Sequence, residues 1–152
     1  MKVCIGGTFD NLHKGHKKLI SKAIEAAGKN GKLFIGLADG KLIKFKKDVK
    51  PFEERKKILE NFLSKKNIAN FEIKHIKDKY GPTLTQDFDA IVVSSETRPN
   101  AEEINIKREK LGKKPLKIFV IPFVLSDDGI PISSSRIRNK EIDENGQVLT
   151  RD

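Results

Sequence analysis

The sequence predicts an α/β fold, namely a Rossmann-like, doubly wound parallel sheet of five strands with helices on both faces. Short apolar runs alternate along the chain with stretches of helical period, which is the pattern of βαβ units. Crossovers between parallel strands are right-handed and place helices on both faces of the sheet. The length of 152 residues suits one domain, so we expect a single domain over residues 1–152.

Five segments have the composition of strands. The first is a short apolar run that ends in glycine, the third alternates apolar and polar residues, and the fourth is a continuous β-branched run. The predicted strands cover residues 2–6, 32–38, 71–76, 89–94 and 116–121. Ligands of such a sheet bind at the carboxyl ends of the strands, where the strand order reverses.

Four further segments carry helical signals. Residues 15–28 have an apolar face and end at a glycine, and residues 50–66 begin with a proline in the first turn. Residues 101–112 also end at a glycine, and residues 133–142 begin with serines that can cap a helix. The polar residues 143–152 are expected to form a loosely ordered tail of the domain.

The charge balance of the chain is strongly positive, with a formal net charge of +10 and a sequence pI near 9.7. Such a balance is typical of a nucleic-acid-binding surface, or of a lysine-rich surface with a few cations around an anionic substrate. The lysines are scattered along the whole chain, and the sequence has no Trp and one Tyr for base stacking. We therefore expect small anionic substrates and no nucleic-acid partner.

The single cysteine, Cys4, lies in the first apolar run, where we expect it to be a small core residue. One cysteine cannot form an intramolecular disulfide, and the N-terminal apolar run is too short for a signal peptide. No apolar stretch approaches the roughly 20 residues of a membrane span. We therefore predict a cytoplasmic protein without a membrane partner. The oligomeric state stays open, with a monomer among the options.

The segment Gly6–His16, GGTFDNLHKGH, has the pattern of a phosphate-binding turn between a strand and a helix. Glycines allow a ligand to approach the backbone closely, and free N–H groups at a helix start attract phosphate. His13 and His16 are three residues apart, so both imidazoles can project to the same side and donate to phosphate oxygens. Thr8 adds a hydroxyl, and Asp10 could fix the turn, a histidine or a metal.

An ordinary strand-to-helix turn with two surface histidines is the alternative interpretation of this segment. The chain has three histidines, and two of them fall in this turn, which favours the phosphate site. The third, His75, lies on an alternating strand and is interpreted as structural.

The same segment resembles the first signature of the HxGH nucleotidyltransferases. Their second signature, of the ISSTxIR type, is similar to residues 132–138, ISSSRIR, with Ser135 at the usual threonine. This resemblance implies nucleotidyl transfer, in which an acceptor phosphate attacks the α-phosphate of a nucleoside triphosphate and pyrophosphate leaves.

The middle of the chain is similar to one family of this superfamily, the phosphopantetheine adenylyltransferases of the archaeal and eukaryotic type. The segments KPFEERKKILENFL, KDKYGPT, DAIVVSSET and INIKREKLG occur in the family's order, and the resemblance runs from about residue 2 to residue 138. It implies transfer of AMP from ATP to 4′-phosphopantetheine, which gives dephospho-coenzyme A. The chain departs from the family after SSET, where Arg98–Pro99–Asn100 replaces the usual glycine.

The resemblance implies a set of nucleotide-binding residues. His16 is expected to stabilise charge at the α-phosphate, His13 to hold the triphosphate, and Thr8 to contact the transferred or attacking phosphate. The three serines that begin the last helix, together with Arg138, are expected at the β- and γ-phosphates. The full predicted ATP site is Gly7, Thr8, Phe9, His13, His16, Ser94, Glu96, Ser133, Ser134, Ser135 and Arg138.

An acceptor site is implied beside the second strand. Lys44, in a basic loop, is expected to act in catalysis by clamping the acceptor phosphate or the attacking oxygen, with Lys41, Lys46 and Lys47 as alternatives. The full predicted acceptor site is Asp39, Lys44, Arg55, Tyr80, Gly81, Pro82 and Thr83.

Several polar residues keep a second interpretation. Asp39 could instead cap its loop, and Arg55 could form an exposed ion pair with a nearby glutamate. Asn105 and Arg108 could reach the cleft or lie on a solvated helix face. Arg136 is expected to face solvent.

The implied cofactor is Mg²⁺, held mainly by the ATP phosphates, since the sequence has no cluster of carboxylates that suggests a protein-built metal site. Cytidylyltransferases acting on glycerol phosphate or choline phosphate, and FAD synthetases, share the GTFD and HxGH elements and are the nearest alternatives. A non-catalytic nucleic-acid-binding domain is the alternative from another class. It predicts a salt-dependent affinity for duplex nucleic acid and no pyrophosphate release.

Overall fold

Five parallel strands form one sheet in the computed structural model, in the order β3-β2-β1-β4-β5. The strands are β1 (Lys2–Gly7), β2 (Lys32–Ala38), β3 (Phe71–Ile76), β4 (Ala90–Ser94) and β5 (Lys117–Ile121). The predicted five-stranded parallel sheet is therefore confirmed. The strand order reverses between β1 and β4, so a ligand crevice is expected at the carboxyl ends of these two strands. The structure describes residues 1–44, 46, 48–66, 68 and 70–149.

Four helices accompany the sheet, and they are α1 (Lys14–Ala27), α2 (Phe52–Lys65), α3 (Arg98–Lys110) and α4 (Ser134–Arg138). The third begins at Arg98 rather than at residue 101, because Pro99 lies in its first turn, where a missing N–H costs no hydrogen bond. The fourth ends earlier than predicted, because Lys140 has a left-handed backbone with a φ of 60°. Within the described ranges, no helix is both long and apolar enough to cross a membrane.

Side chains on the two faces of the sheet pack into two apolar cores. Alternate residues of β1 show the division, since Val3 and Ile5 belong to the core with α1 and α2, whereas Cys4 belongs to the core with α3. Helices thus cover both faces, as predicted. The predicted core position of Cys4 is confirmed, and burial raises the pKa of its thiol to about 12.

Two polar residues of α3 hold neighbouring backbone in place. Arg108 is 2% exposed and donates to the carbonyl oxygens of Thr83 at 2.6 Å and Gln86 at 3.2 Å. Asn105 pairs with the backbone of Leu116, donating at 2.9 Å and accepting at 2.7 Å. Neither interpretation from the sequence, a cleft contact or a solvated face, fits these side chains. They fix the 3-10 turn Gly81–Leu84, called the GPT turn below, and the start of β5 against α3.

Residues 141–149 form a small hairpin, which we call the C-terminal hairpin. Ile142 and Val148 form an antiparallel bridge, and the Leu149 N–H donates to the Glu141 carbonyl oxygen at 2.9 Å. Because Ile142 is fully buried, the segment is anchored and differs from the loosely ordered tail that the sequence suggests. Residues 150–152 of that predicted tail lie outside the described residues.

Candidate active site

An open cleft of about 660 Å³ lies at the carboxyl ends of β1 and β4, where the strand order reverses. Both sequence motifs line it, through His13 and His16 from the first and through Ser133, Ser134, Ser135 and Arg138 from the second. The cleft also includes the predicted residues Gly7, Thr8, Phe9, Tyr80, Gly81, Pro82, Thr83, Ser94 and Glu96. The fold therefore brings most of the predicted site residues to one place.

The loop between β1 and α1 has an uncommon backbone. Phe9 and Asn11 adopt left-handed backbone conformations, with φ angles of 48° and 61°. Residues other than glycine rarely adopt such conformations. Burial holds this conformation, since Phe9 and Leu12 pack in the core and Asp10 is 2% exposed. Backbone strain of this kind clusters at functional sites, so the loop itself favours a binding role.

His13 and His16 cap the first turn of α1 with their own rings. The Nδ1 atom of His13 accepts from the N–H groups of Gly15 at 3.0 Å and His16 at 3.3 Å. The Nδ1 atom of His16 accepts from the His13 N–H at 3.2 Å, and the two rings stack with their centroids 3.6 Å apart. Because each Nδ1 is an acceptor, each neutral ring carries its proton on Nε2. The pair therefore offers two Nε2–H donors.

Both imidazoles are neutral near pH 7. Burial lowers the pKa of His13 to about 4. Burial, together with repulsion from His13 and Lys46, holds the pKa of His16 well below its usual value. A neutral imidazole with its proton on Nε2 can donate a hydrogen bond to negative charge that develops on a nearby oxygen.

The main-chain donors at the start of α1 are already occupied. The Lys14 N–H donates to the Glu144 carbonyl oxygen at 2.9 Å, and the Gly15 and His16 N–H groups donate to His13 Nδ1. The free N–H groups expected here from the sequence are therefore a wrong prediction, because the His13 ring and the Glu144 carbonyl oxygen accept from them. An anion at this helix start would instead meet the Nε2–H groups and the positive end of the helix dipole.

The free energy of unfolding should fall as the pH drops from about 6.5 to about 4, because His13 takes up a proton when the chain unfolds. The unfolded imidazole has a pKa near 6.5, while burial keeps the folded one at about 4. In this window the unfolded chain binds the additional proton, so the loss approaches about 3 kcal/mol at its acid end. Urea denaturation should show a steeper pH slope in wild type than in His13→Asn, whose amide can still cap the helix. Equal slopes in the two proteins would contradict the assignment.

Gly15 leaves room for the His13 ring. A Cβ atom at this position would lie 2.8 Å from His13 Cε1 and 3.0 Å from His13 Nδ1. Helix propensity alone favours alanine over glycine by about 1 kcal/mol. We expect Gly15→Ala to displace the ring, so that the rate of the implied nucleotidyl transfer falls at least about tenfold and the melting temperature does not rise. A raised melting temperature with an unchanged rate would show that the ring position is not needed.

Asp10 joins the two sequence motifs. Its carboxylate accepts from Arg138 Nη1 at 2.7 Å and from the Lys50 N–H at 3.4 Å. Its carbonyl oxygen accepts from Ser134 Oγ at 2.8 Å. The sequence left the turn, a histidine or a metal as partners of Asp10, and the structure shows Arg138 in that place.

The other serines of the second motif have separate partners. Ser133 caps α4 by accepting from the Arg136 N–H at 3.2 Å. Ser135 Oγ lies 3.4 Å from Arg138 Nη2, from which it accepts a hydrogen bond. The hydroxyl of Ser135 thus lies in the cleft beside the guanidinium of Arg138.

Arg136 does not face solvent, so that prediction is wrong. Its guanidinium donates to Ser126 Oγ at 2.8 Å and forms an ion pair with Asp128 at 2.5 Å. It thereby ties α4 to the turn between residues 125 and 131, whose last residue, Pro131, lines the cleft.

Lys46 is a lysine of the basic loop that reaches the cleft. Its Nζ donates to Thr8 Oγ1 at 2.7 Å, and burial lowers the pKa of its ammonium group. Lys44, which the sequence analysis favours, follows the 3-10 turn Gly40–Ile43 and is not among the described residues that line the cleft. Among the described residues, the contacts therefore favour the alternative Lys46 over Lys44 as the lysine of the cleft.

The two other lysines considered from the sequence have different outcomes. Lys41 lies within the 3-10 turn and, among the described residues, is not part of the cleft lining. Lys47 lies outside the described residues.

Arg55 is buried against the backbone instead of facing a ligand. It is 1% exposed and donates to the carbonyl oxygens of Thr8 at 3.0 Å and Ala38 at 2.7 Å. The carboxylate of Asp39 lies 3.7 Å from its Nη2. Neither the predicted phosphate contact nor the alternative exposed ion pair with a glutamate fits this geometry. Arg55 joins the carboxyl ends of β1 and β2 and fixes the backbone of Thr8.

Asp39 also lies outside the cleft lining of the described chain. Its second carboxylate oxygen is 3.2 Å from His75 Nε2, and the His75 ring packs on Phe52 with the centroids 3.5 Å apart. Asp39 therefore connects the ends of β2 and β3, and the partners of His75 agree with the structural role that the sequence suggests.

The GPT turn forms the wall of the cleft that faces α3. The Tyr80 hydroxyl donates to Glu103 Oε1 at 2.5 Å, and Asn100 Nδ2 donates to the Lys79 carbonyl oxygen at 3.1 Å. Hydrogen bonding from Tyr80, then from Lys79, lowers the pKa of Glu103. Glu103 has no signal in the sequence, because only the packing of α3 beside the GPT turn makes it a partner of Tyr80.

The cleft is suited to bind a polyphosphate. It gathers two Nε2–H donors, the ammonium group of Lys46 and the guanidinium of Arg138, whereas the carboxylate of Asp10 is already paired with Arg138. Among the described residues, no group of three or more His, Cys, Asp or Glu side chains could hold a metal ion. The arrangement can thus position phosphates and stabilise negative charge without a protein nucleophile.

Comparison with known sequences gives the family. Residues 4–140 match the cytidylyltransferase-like family. The chain belongs to this family. Within it, the chain is 44% identical over 149 residues to the phosphopantetheine adenylyltransferase of Methanosarcina mazei, covering 97% of this chain and 96% of that protein. It is 48% identical over 147 residues to the protein of that name from Methanopyrus kandleri. This match covers 94% of this chain and 91% of that protein. The family resemblance stated from the motifs is therefore confirmed.

Solved structures of other proteins agree with the fold. A protein of unknown function from Archaeoglobus fulgidus has a TM-score of 0.73 at 40% identity, covering 80% of this chain and 89% of that chain. A lipopolysaccharide core biosynthesis protein from Thermoplasma volcanium has a TM-score of 0.61 at 20% identity, covering 80% of this chain and 95% of that chain. At this identity, the match supports the fold alone.

Proposed function

We propose that the chain transfers AMP from ATP to 4′-phosphopantetheine, giving dephospho-coenzyme A and pyrophosphate. The observation that carries the proposal is the pair of neutral imidazoles with Nε2–H donors, which share one cleft with Lys46 and the second motif. The relatives named phosphopantetheine adenylyltransferase, at 44% to 48% identity over nearly the whole chain, support the choice of this acceptor.

In the proposed reaction, an oxygen of the acceptor phosphate attacks the α-phosphorus of ATP. The new P–O bond forms as the bond to the β-phosphate oxygen breaks, and its electron pair leaves with pyrophosphate. The acceptor phosphate is already anionic near neutral pH, so the protein needs no strong general base. Catalysis then rests on positioning and on stabilising charge at the α-phosphate.

We assign the charge stabilisation to three groups. His16 and His13 would donate through Nε2–H to oxygens of the α- and β-phosphates as negative charge develops on them. The ammonium group of Lys46 donates to the Thr8 hydroxyl in the structure, and it would contact the attacking or transferred phosphate. Because Arg55 holds the Thr8 carbonyl oxygen, Arg55 and Asp39 are assigned as positioning residues in place of acceptor contacts.

The second motif would bind the outer phosphates. Ser135 and Arg138 lie together in the cleft, and Asp10 fixes the Arg138 guanidinium by an ion pair. Ser133 and Ser134 would add hydroxyl groups there, although both also support α4 and the β1–α1 loop. The nucleotide would be bordered by Gly7, Phe9, Ser94 and Glu96, and the pantetheine arm by the GPT turn and Tyr80.

Mg²⁺ would arrive with the triphosphate as part of the substrate. The described residues contain no cluster that could build a metal site, so the phosphates would supply its ligands. Its chemistry would be neutralisation of triphosphate charge. The cytoplasm stays the predicted location, for the reasons given from the sequence.

The test is pyrophosphate release from three substrate pairs in the presence of Mg²⁺. ATP with 4′-phosphopantetheine should react, whereas CTP with glycerol phosphate and ATP with FMN should not. Reaction with another pair only would keep the mechanism and overturn the acceptor. Absence of release from all pairs by folded protein, together with salt-dependent binding of duplex DNA, would favour the nucleic-acid-binding alternative.

A further inference from the structure

The C-terminal hairpin (residues 141–149) contacts both sequence motifs, although it belongs to neither. Its Glu144 carbonyl oxygen accepts from the N–H of Lys14, the first residue of α1, at 2.9 Å. Lys14 lies between the two histidines of the first motif. The hairpin is therefore hydrogen-bonded to the turn that presents both imidazoles.

The hairpin meets the second motif through backbone and side chain. The Glu141 N–H donates to the Arg136 carbonyl oxygen at 3.0 Å. Beside the motif, in the turn between residues 125 and 131, the Asp127 N–H donates to the Gly146 carbonyl oxygen at 2.8 Å. A Cβ atom on Gly146 would lie 2.8 Å from Ile132 Cδ1, so the hairpin packs tightly on the first residue of ISSSRIR. Gly146 also has a φ of 82°, which favours glycine.

The hairpin has its own internal supports. Asp143 accepts from the N–H groups of Asn145 and Gln147, each at 2.9 Å, and closes the turn. Ile142 is fully buried, whereas its bridge partner Val148 is 50% exposed. The segment is thus held as a unit by one buried side chain and a hydrogen-bonded turn.

We propose that the C-terminal hairpin is a positioning element that fixes the start of α1 relative to α4 on the ATP side of the cleft. This inference rests on the proposed function. By occupying the Lys14 N–H, the hairpin leaves the imidazole Nε2–H groups, rather than the main chain, to meet the nucleotide. The hydrogen bonds of the hairpin to other elements go to α1, α4 and the turn between residues 125 and 131, and none among the described residues joins it to the GPT turn. Its loss should therefore weaken the handling of ATP and spare the acceptor.

Lys14 allows a matched pair of variants. Lys14→Pro removes the N–H that the hairpin accepts, at the first helical position, where proline is well tolerated. The preceding residue, His13, has an extended backbone with φ −80° and ψ 176°, which is compatible with a following proline. Lys14→Ala loses the same side chain and keeps the N–H. The pair thus isolates the hydrogen bond to the hairpin.

In Lys14→Pro, the KM for ATP and the Kd for a non-hydrolysable ATP analogue with Mg²⁺ should rise about tenfold or more over those of Lys14→Ala. The KM for phosphopantetheine should stay within about twofold. Imidazole ¹H–¹⁵N spectra should show a single Nε2–H tautomer at both histidines in Lys14→Ala and a changed pattern in Lys14→Pro. Unchanged ATP-analogue affinity and unchanged imidazole spectra in Lys14→Pro would overturn the proposal.

A second pair releases the hairpin by another route. Ile142→Asp places a charge at a fully buried position, while Val148→Asp makes the same change at its exposed bridge partner. Ile142→Asp should reproduce the rise in the ATP-analogue Kd, and Val148→Asp should not. A folded Ile142→Asp protein with wild-type affinity would also overturn the proposal.

If wild type reacts with a different acceptor, the ATP-analogue and imidazole readouts still decide the hairpin's role. Failure of wild type to bind the analogue would refute both proposals.

Discussion

His16→Ala is expected to lower kcat for pyrophosphate release by about 10²–10³-fold. The ring is a neutral donor whose Nδ1 is held by the His13 N–H, so its Nε2–H is fixed in direction. Such a preorganised donor acts mainly on the charge of the transition state, so KM for either substrate should change much less than kcat. The measurement is steady-state kinetics with ATP and 4′-phosphopantetheine on protein shown to be folded.

His75→Ala is the matched control for this substitution. His75 contacts Asp39 and Phe52, outside the described lining of the cleft, so its removal should leave kcat within about twofold of wild type. A loss of kcat of similar size in both variants would mean that removing either histidine has the same effect, wherever the histidine lies. The assignment of His16 would then fail.

Lys46→Ala should lower kcat/KM by about 10²-fold, because the ammonium group of Lys46 contacts Thr8 in the cleft. Lys44→Ala should lower it far less, since Lys44 is not among the described residues that line the cleft. Parallel kinetics of the two variants, with Lys46→Arg to keep the charge, would measure the difference. The geometry of an ammonium group is not reproduced by guanidinium, so Lys46→Arg should recover only part of the loss.

The reverse order of the two lysine variants would restore the interpretation based on the sequence. A large loss in Lys44→Ala with a small one in Lys46→Ala would mean that the loop rearranges when substrate binds. Equal losses would mean that the loop acts through its total charge, and the loss should then shrink as salt is added.

Most of the fold could be predicted because its signals are local. The period-two and apolar runs of the strands, the helical stripes and the glycine and proline boundaries each act over a few neighbouring residues. The strand bounds therefore agree with the structure to within about one residue. The ends of α3 and α4 were less accurate, because Pro99 fits inside a first turn and Lys140 takes a left-handed backbone.

Buried arginines show what local patterns cannot predict. Arg55 and Arg108 occur in charged helical stretches that are typical of solvent-exposed helix faces, yet the two residues are 1% and 2% exposed. Burying a guanidinium is costly unless its donors find partners, and here backbone carbonyl oxygens, several of them far along the chain, accept from Nε and Nη1 of both arginines. Thr8, for example, is 47 residues from Arg55. Arg136 differs, because its partners Ser126 and Asp128 lie in the preceding turn, and only the folding of that turn onto α4 brings them to its guanidinium.

The sequence by itself predicted the parallel α/β sheet and a phosphate-binding role for GGTFDNLHKGH, and the resemblance to a known family added the pairing of that motif with ISSSRIR. Only the tertiary structure decided that Lys46 reaches Thr8, that the α1 N–H groups are occupied, and that the C-terminal hairpin is anchored. Residue types and short spacings carry the sheet and the turn, because these depend on backbone geometry within one or two elements. The second set depends on contacts such as that between Asp10 and Arg138, 128 residues apart, which exist only after the sheet has brought distant segments together.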